Sequence, residues 1–244
     1  MLVYQLLAER FCHDISSPIN ALGLTLEMLS SDKSAYHLAQ LSYLSTVNLL
    51  GLYRVLFACK PQSDAVEKST SIIRNICTQK DVRCSINIKR FSEEIPSPVH
   101  DIIEEQSDNN QVEGAKNLAH LSRANVYDFE TDIGKALVCI LYLCLPYTAP
   151  GDSVEIKQSS TFCYEMTCHT SKNPRVRESL AAAPEEKDLS QKSSNDVVPV
   201  LLKLLLSKWQ LSVDINGSQS STNSETGNST KTVTIVKLNR MQPW

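Results

Sequence analysis

Phe11-Cys12-His13-Asp14-Ile15-Ser16-Ser17-Pro18-Ile19-Asn20-Ala21 lies in a stretch whose apolar positions, Leu7, Phe11, Ile15, Pro18, Leu22, Thr25 and Leu29, step by three and four. That spacing predicts one long helix from about Leu2 to Leu29 with a single packed seam. A polar stripe of Glu9, Arg10, His13, Ser16, Ser17, Asn20 and Glu27 runs opposite the seam. At about 100° per residue, His13 stands about 200° round the helix from both Phe11 and Ile15, which turns its imidazole to solvent. Periodicity alone reads it as a surface histidine. Asp14 beside it, however, supplies a carboxylate able to hold an imidazole tautomer, and Pro18 withdraws a backbone donor and bends the helix close by.

Working outward, the helix stops at the polar turn Ser30-Ser31-Asp32-Lys33-Ser34, which offers an N-cap to a second helix running from about Ala35 to Cys59 and ended by Pro61. Residues 1–62 therefore read as a helical hairpin with two wide apolar stripes. Pairing with a second copy into a four-helix bundle is the economical way to bury them, so a homodimer is expected. Residues 63–244 read differently. A short helix (Asp64 to Thr78), a strand (Cys84 to Lys89), a helix (Asp132 to Leu145), strands at Val154 to Lys157 and Thr161 to Thr167, a helix (Val198 to Trp209) and strands at Leu211 to Ile215 and Thr232 to Leu238 predict an α/β sandwich with helices on one face of a mixed sheet. The fold class expected is α+β. Phe91 to Tyr127 and Asn216 to Thr230 read as surface excursions. The first carries seven carboxylates and no Lys or Arg between Ser92 and Ala115, the pattern of a solvated loop.

Composition removes several functions. The 244 residues carry a net charge of -3, so no global positive field exists for a nucleic-acid backbone or an anionic membrane. The longest apolar run, Ala136 to Leu145, is far short of the roughly 20 residues of a bilayer span. No basic residue precedes Arg10, so no secretory lead and a cytoplasmic location are expected. Eight cysteines show no C-x-x-C spacing and read as reduced, buried small hydrophobes. Cys163, Cys168 and His169 come nearest to a metal cluster, but strand alternation sends the two thiols to opposite faces, and no metal is expected. No two of the seven glycines lie closer than ten residues apart, which excludes glycine-rich phosphate cradles.

The run from Phe11 to Ala21 resembles the phosphoacceptor box of two-component histidine kinases, and more closely that of histidine phosphotransferases of the ChpT type, which reads His-Asp-Leu-x-Ser-Pro. Tyr53-Arg54-Val55-Leu56-Phe57-Ala58 is similar to that family's Arg-x-x-Phe-Gly/Ala ending, and Leu145-Pro146-Tyr147-Thr148-Ala149-Pro150-Gly151-Asp152-Ser153-Val154 resembles the segment joining helix to strand in the kinases' ATP-binding domain. The excursion at 91–127 departs from the compact family pattern.

The resemblance implies a dimeric four-helix bundle followed by a degenerate ATPase-like sandwich. An ATP-using kinase needs a magnesium-binding Asn on the helix before that segment, and Gly-rich motifs after the following strand. Leu143 stands where the Asn belongs, Cys139 lies one turn earlier, and Cys168-His169-Thr170-Ser171-Lys172 replaces the Asp-x-Gly-x-Gly. What the resemblance then implies is a phosphotransferase shuttling a phosphoryl group between response-regulator receiver domains, fed by a hybrid histidine kinase. It needs no cofactor of its own, since the receiver brings Mg²⁺. His13 is the expected nucleophile, Asp14 its orienting carboxylate, and Ser17 completes the catalytic set. Ser16 and Asn20, with Ser17, are expected to line the receiver's approach beside the phosphate, and Leu6, Arg10 and Leu24 are expected at the receiver-docking surface by their helical phase. Arg54 reads equally as a contact to helix 1 or phosphate and as a solvated helix-end cation. A non-catalytic dimeric scaffold is the competing reading, against which an exposed His beside an Asp speaks; an ATP-dependent kinase is a more distant one, set aside by the missing Asn and Gly-rich motif.

Overall fold

The computed structural model describes residues 2–29, 35–58, 60, 64–88, 128–160, 163–172, 176–184, 196–209, 211–222 and 229–240. The excursion at 91–127 lies outside them. Helices α1 (Leu2–Met28) and α2 (Ala35–Leu56) form the antiparallel hairpin. The rest runs α3 (Ala65–Gln79), β1 (Arg83–Asn87), α4 (128–144), a 3₁₀ turn (Leu145–Tyr147), β2 (Ser153–Ser160), β3 (Cys163–Thr170), α5 (Val176–Ala182), α6 (Val197–Lys208), β4 (Leu211–Thr222) and β5 (Ser229–Arg240). The chain is thus α+β, a helical hairpin followed by an α/β sandwich.

The sheet has the order β1-β2-β3-β5-β4, with β1 parallel to β2 and every other neighbouring pair antiparallel. Its core is built by register. Ile86 pairs with Ile156, Ile156 with Met166, Met166 with Val236, and Val236 with Ile215, so one apolar row crosses all five strands. A second row joins Cys84, Val154, Cys168 and Thr234. Because side chains alternate along a strand, both rows fall on one face, which α3, α4 and α6 cover. Gly134 lets α4 approach α3 closely: a Cβ there would meet Ser69 Oγ and lie 3.1 Å from the carbonyl oxygen of Ala65.

The foot of the hairpin belongs to the same core. Val3, Leu6 and Leu7 of α1 and Leu52, Tyr53 and Leu56 of α2 are buried in one cluster with Ile133, Leu137 and Ile140 of α4 and Leu201 and Leu205 of α6. The junction therefore sits directly beneath the polar stripe of α1.

Two expectations need correction. β4 and β5 extend through Thr222 and back from Ser229, where the Ser/Thr/Asn-rich run reads as loop; once Val213 and Leu238 are in register, the backbone ladder continues regardless of side-chain polarity, to Thr222 opposite Ser229. Helix α5 has no counterpart in the sequence reading, because its seven residues hold too few turns for a period to show; Val176 anchors it in the core.

The register predicts a contrast between neighbours. Ile156→Ala, in the central row, is expected to cost about 2–5 kcal/mol, whereas Lys157→Ala, exposed on the other face, should stay within about 0.5 kcal/mol. Urea denaturation of the two variants measures both.

Candidate functional site

α1 carries Pro18 inside it, and a proline has no N–H for the carbonyl four residues back, which here is that of Asp14. One turn of the helix is thus loosened where the polar stripe is densest. His13 projects outward with its side chain 76% exposed, while the adjacent Asp14 side chain is only 11% exposed. The two neighbours diverge because Asp14 lies 100° further round, toward α2 and α4.

Asp14 is the hub of the site. Tyr142 of α4 donates its hydroxyl to Asp14 Oδ2 at 2.7 Å, and Tyr53 of α2 donates to the same oxygen at 2.8 Å. Arg10, one turn back on α1, places Nε 3.0 Å from Oδ1 and 3.1 Å from Oδ2, and donates also to the Tyr142 hydroxyl oxygen at 2.9 Å. His13 Nδ1 lies 3.3 Å from Asp14 Oδ1. An aromatic cluster steadies the tyrosine from α2: Phe11 meets the Tyr53 ring edge-on at 5.0 Å, and Phe57 lies 6.2 Å from it. The Arg10 guanidinium also sits over the Tyr142 ring at 5.8 Å.

Electrostatics follow from these contacts. Burial alone would raise the Asp14 carboxyl, but the hydroxyl bonds from Tyr142 and Tyr53, the contact with His13 and the Arg10 charge together hold it below the usual carboxylate range. Tyr142 is pushed up to about 12, first by burial and then by its bond to the Asp14 anion; Tyr53 is pushed up for the same two reasons. Both phenols therefore stay protonated and remain donors. With Asp14 accepting at Oδ1, the imidazole tautomer that fits is Nδ1–H, and Nε2 then carries the unshared pair that points to solvent.

The exposed face around His13 holds Ser16, Ser17, Asn20 and Leu24, all within about 60° of it. Leu24 is 63% exposed, an apolar side chain in open solvent. Ser16 Oγ is turned back to the carbonyl of Cys12 at 2.6 Å. Two of the expected docking residues are elsewhere. Leu6 shares the helical phase of His13 but is 7% exposed, because the foot of α1 is packed into the sandwich core near α6. Arg10 is drawn inward, its charge committed to Asp14 and Tyr142. Arg54 is exposed at the last turn of α2 and has no hydrogen bond or ion pair to α1 among the described residues; it borders a cavity of about 460 Å³ with Gly51, Lys68 and Ile72. Tyr53 and Tyr142, which donate to Asp14, are positions that periodicity does not single out.

Among the described residues, no helix is long and apolar enough to cross a membrane, and no group of three or more His, Cys, Asp or Glu side chains is disposed to hold a metal.

Comparison with known proteins places the fold. No family model and no curated protein matches the chain. Among solved structures it is similar to a bacterial phosphotransferase, at 17% identity and a TM-score of 0.61, over 96% of this chain and 95% of the other. A histidine kinase domain from the Erythrobacter litoralis EL346 blue-light activated histidine kinase matches at 10% identity and a TM-score of 0.37, over 96% and 94% of the two chains. The mycobacterial sensor histidine kinase MprB matches at 9% and 0.35, over 73% and 95%. The described residues share the fold of the bacterial phosphotransferase.

The pH dependence of the junction tests the electrostatic assignment. A carboxyl whose folded value is depressed adds stability that is complete above its unfolded value, about 3.9, and is lost as pH falls through the folded value. Asp14→Asn is expected to lose about 1.5–3 kcal/mol at neutral pH, the scale of hydrogen bonds to a charged group. In urea denaturation the gap between wild type and Asp14→Asn should stay constant from pH 7 to about 5 and close below about 4.

Proposed function

We propose that the chain is a dimeric histidine phosphotransferase that carries a phosphoryl group between the receiver domains of response regulators, loaded ultimately by a hybrid histidine kinase. The observation that carries this is the pairing of an imidazole 76% exposed with a carboxylate 11% exposed and held by three other donors. A surface histidine without a task has no use for such an anchored partner.

His13 Nε2 attacks the phosphorus of a receiver's aspartyl phosphate. The P–N bond forms as the acyl P–O bond breaks, and the receiver carboxylate leaves with the electron pair. No proton moves: Nδ1–H stays in place, and the positive charge that develops on the ring faces Asp14 Oδ1. Transfer to a second receiver is the reverse. The receiver supplies Mg²⁺, so this chain needs no cofactor. Ser17, one turn beyond His13, lines the approach of the phosphoryl group with Ser16 and Asn20, and Leu24 extends the same face toward the incoming receiver.

Independence from ATP is supported by the sandwich itself. Cys139 is wholly buried in α4 and Leu143 stands one turn on, while Cys168, His169 and Thr170 are strand residues paired with Thr234, Val233 and Thr232 rather than a nucleotide-wrapping loop. We place the dimer contact on the distal hairpin. There Tyr36, Tyr43, Val47 and Leu50 recur along one stripe of α2, and Ile19 and Leu26 on α1, all at least two-fifths exposed. Ile19 and Leu26 lie about 120–140° round α1 from His13, which leaves the phosphoacceptor face open.

Incubation with a phosphorylated receiver should place acid-labile, alkali-stable phosphate on the chain, and His13→Ala should abolish it with folding unchanged. Labelling directly from γ-labelled ATP, or phosphate retained in His13→Ala, would contradict the reading. Light scattering should return twice the 27.2 kDa of one chain, and a Tyr43→Glu, Val47→Glu double variant should return the single-chain mass.

A further inference from the structure

Asp14 Oδ2 is where the sandwich reaches the chemistry of the hairpin. Tyr142 belongs to α4, and its hydroxyl has one proton. Arg10 Nε can only donate, so the 2.9 Å contact makes the Tyr142 oxygen an acceptor there and commits its proton to Oδ2 at 2.7 Å. Tyr53 brings a second hydroxyl to the same oxygen at 2.8 Å. Arg10 Nε straddles the carboxylate, 3.0 Å from Oδ1 and 3.1 Å from Oδ2, so it is the two phenols that mark out Oδ2 and leave Oδ1 as the oxygen turned to His13 Nδ1.

We propose that Tyr142 is a positioning residue for phosphotransfer: acting from the sandwich through Asp14, it fixes which carboxylate oxygen faces His13 and thereby keeps the imidazole in the Nδ1–H form with Nε2 free to react. The proposal rests on His13 being the phosphoacceptor. Tyr53 acts on the same oxygen from within the hairpin, and its ring is also part of the Phe11–Phe57 cluster. Tyr142 is the one donor to Asp14, among the described residues, that comes from outside the hairpin. Seating of α4 against α1 is therefore coupled to the state of the nucleophile.

Loss of the Tyr142 hydroxyl leaves Oδ2 with one phenol and lets the carboxylate turn. The test uses the full chain and a phosphorylated receiver. Tyr142→Phe should take up phosphate about tenfold more slowly, the scale of one hydrogen bond to a charged group. In ¹⁵N NMR the Nδ1–H population of His13 should fall, which a purely structural role would not require. In an Asp14→Asn background, Tyr142→Phe should cause no further loss of rate, because the route through the carboxylate is already broken. Wild-type uptake by Tyr142→Phe with an unchanged tautomer, or an equal loss with and without Asp14, overturns the proposal. A wild-type chain that takes up no phosphate overturns the proposed function instead, and the NMR arm still decides whether Tyr142 governs the imidazole. Should Tyr142→Phe not fold, 3-fluorotyrosine at position 142, a more acidic donor of nearly the same shape, should shift the His13 ¹⁵N resonances; unchanged resonances overturn the proposal.

Discussion

One nearly buried carboxylate organises this molecule. Asp14 accepts from donors on α1, α2 and α4, so a single anion joins both arms of the hairpin to the sandwich. Removing a carboxylate from water is costly unless its lone pairs are filled, and here two phenols and a guanidinium fill them. The same arrangement leaves His13, among the described residues, as the partner of Asp14 that remains in solvent. A constraint on burial thus becomes the presentation of an exposed imidazole.

The sandwich supplies the fixed point for that arrangement. Its five strands are held in register by the row from Ile86 to Ile215, and the apolar face they share seats α4. Tyr142 is placed by α4, which shares its core with the feet of α1 and α2. Asp132, near the start of the same helix, accepts from Lys208 Nζ at 2.6 Å and Trp209 Nε1 at 2.8 Å and ties α4 to the end of α6. Through α4 the sandwich thus holds a helix, and with it the Tyr142 hydroxyl, against Asp14 of the hairpin.

Much of this was legible locally. The three-and-four spacing from Leu7 to Leu29 predicts both the helix and the exposure of His13, and the alternation around Tyr164 and Met166 predicts β3, because each depends on residues a few positions apart. Helical phase also puts Ser17, Asn20 and Leu24 beside His13. Phase fails for Leu6 and Arg10, since it says which way a side chain points and not what packs there: the core covers Leu6, and Tyr142 with Asp14 draws in Arg10. Tyr142 lies 128 residues from Asp14 inside an otherwise apolar run, where the lone hydroxyl was the one local sign of a polar partner. The extension of β4 and β5 is a property of the paired backbone and leaves no trace in a Ser/Thr/Asn-rich composition.

The account turns on which ring nitrogen of His13 is free. In the proposed function, Nδ1–H directed at Asp14 Oδ1 leaves Nε2 to take the phosphoryl group. Phosphorus–nitrogen correlation NMR on chain loaded from a phosphorylated receiver reads the linkage directly. The account predicts phosphate on Nε2 of His13; phosphate on Nδ1, or on any other residue, would contradict it.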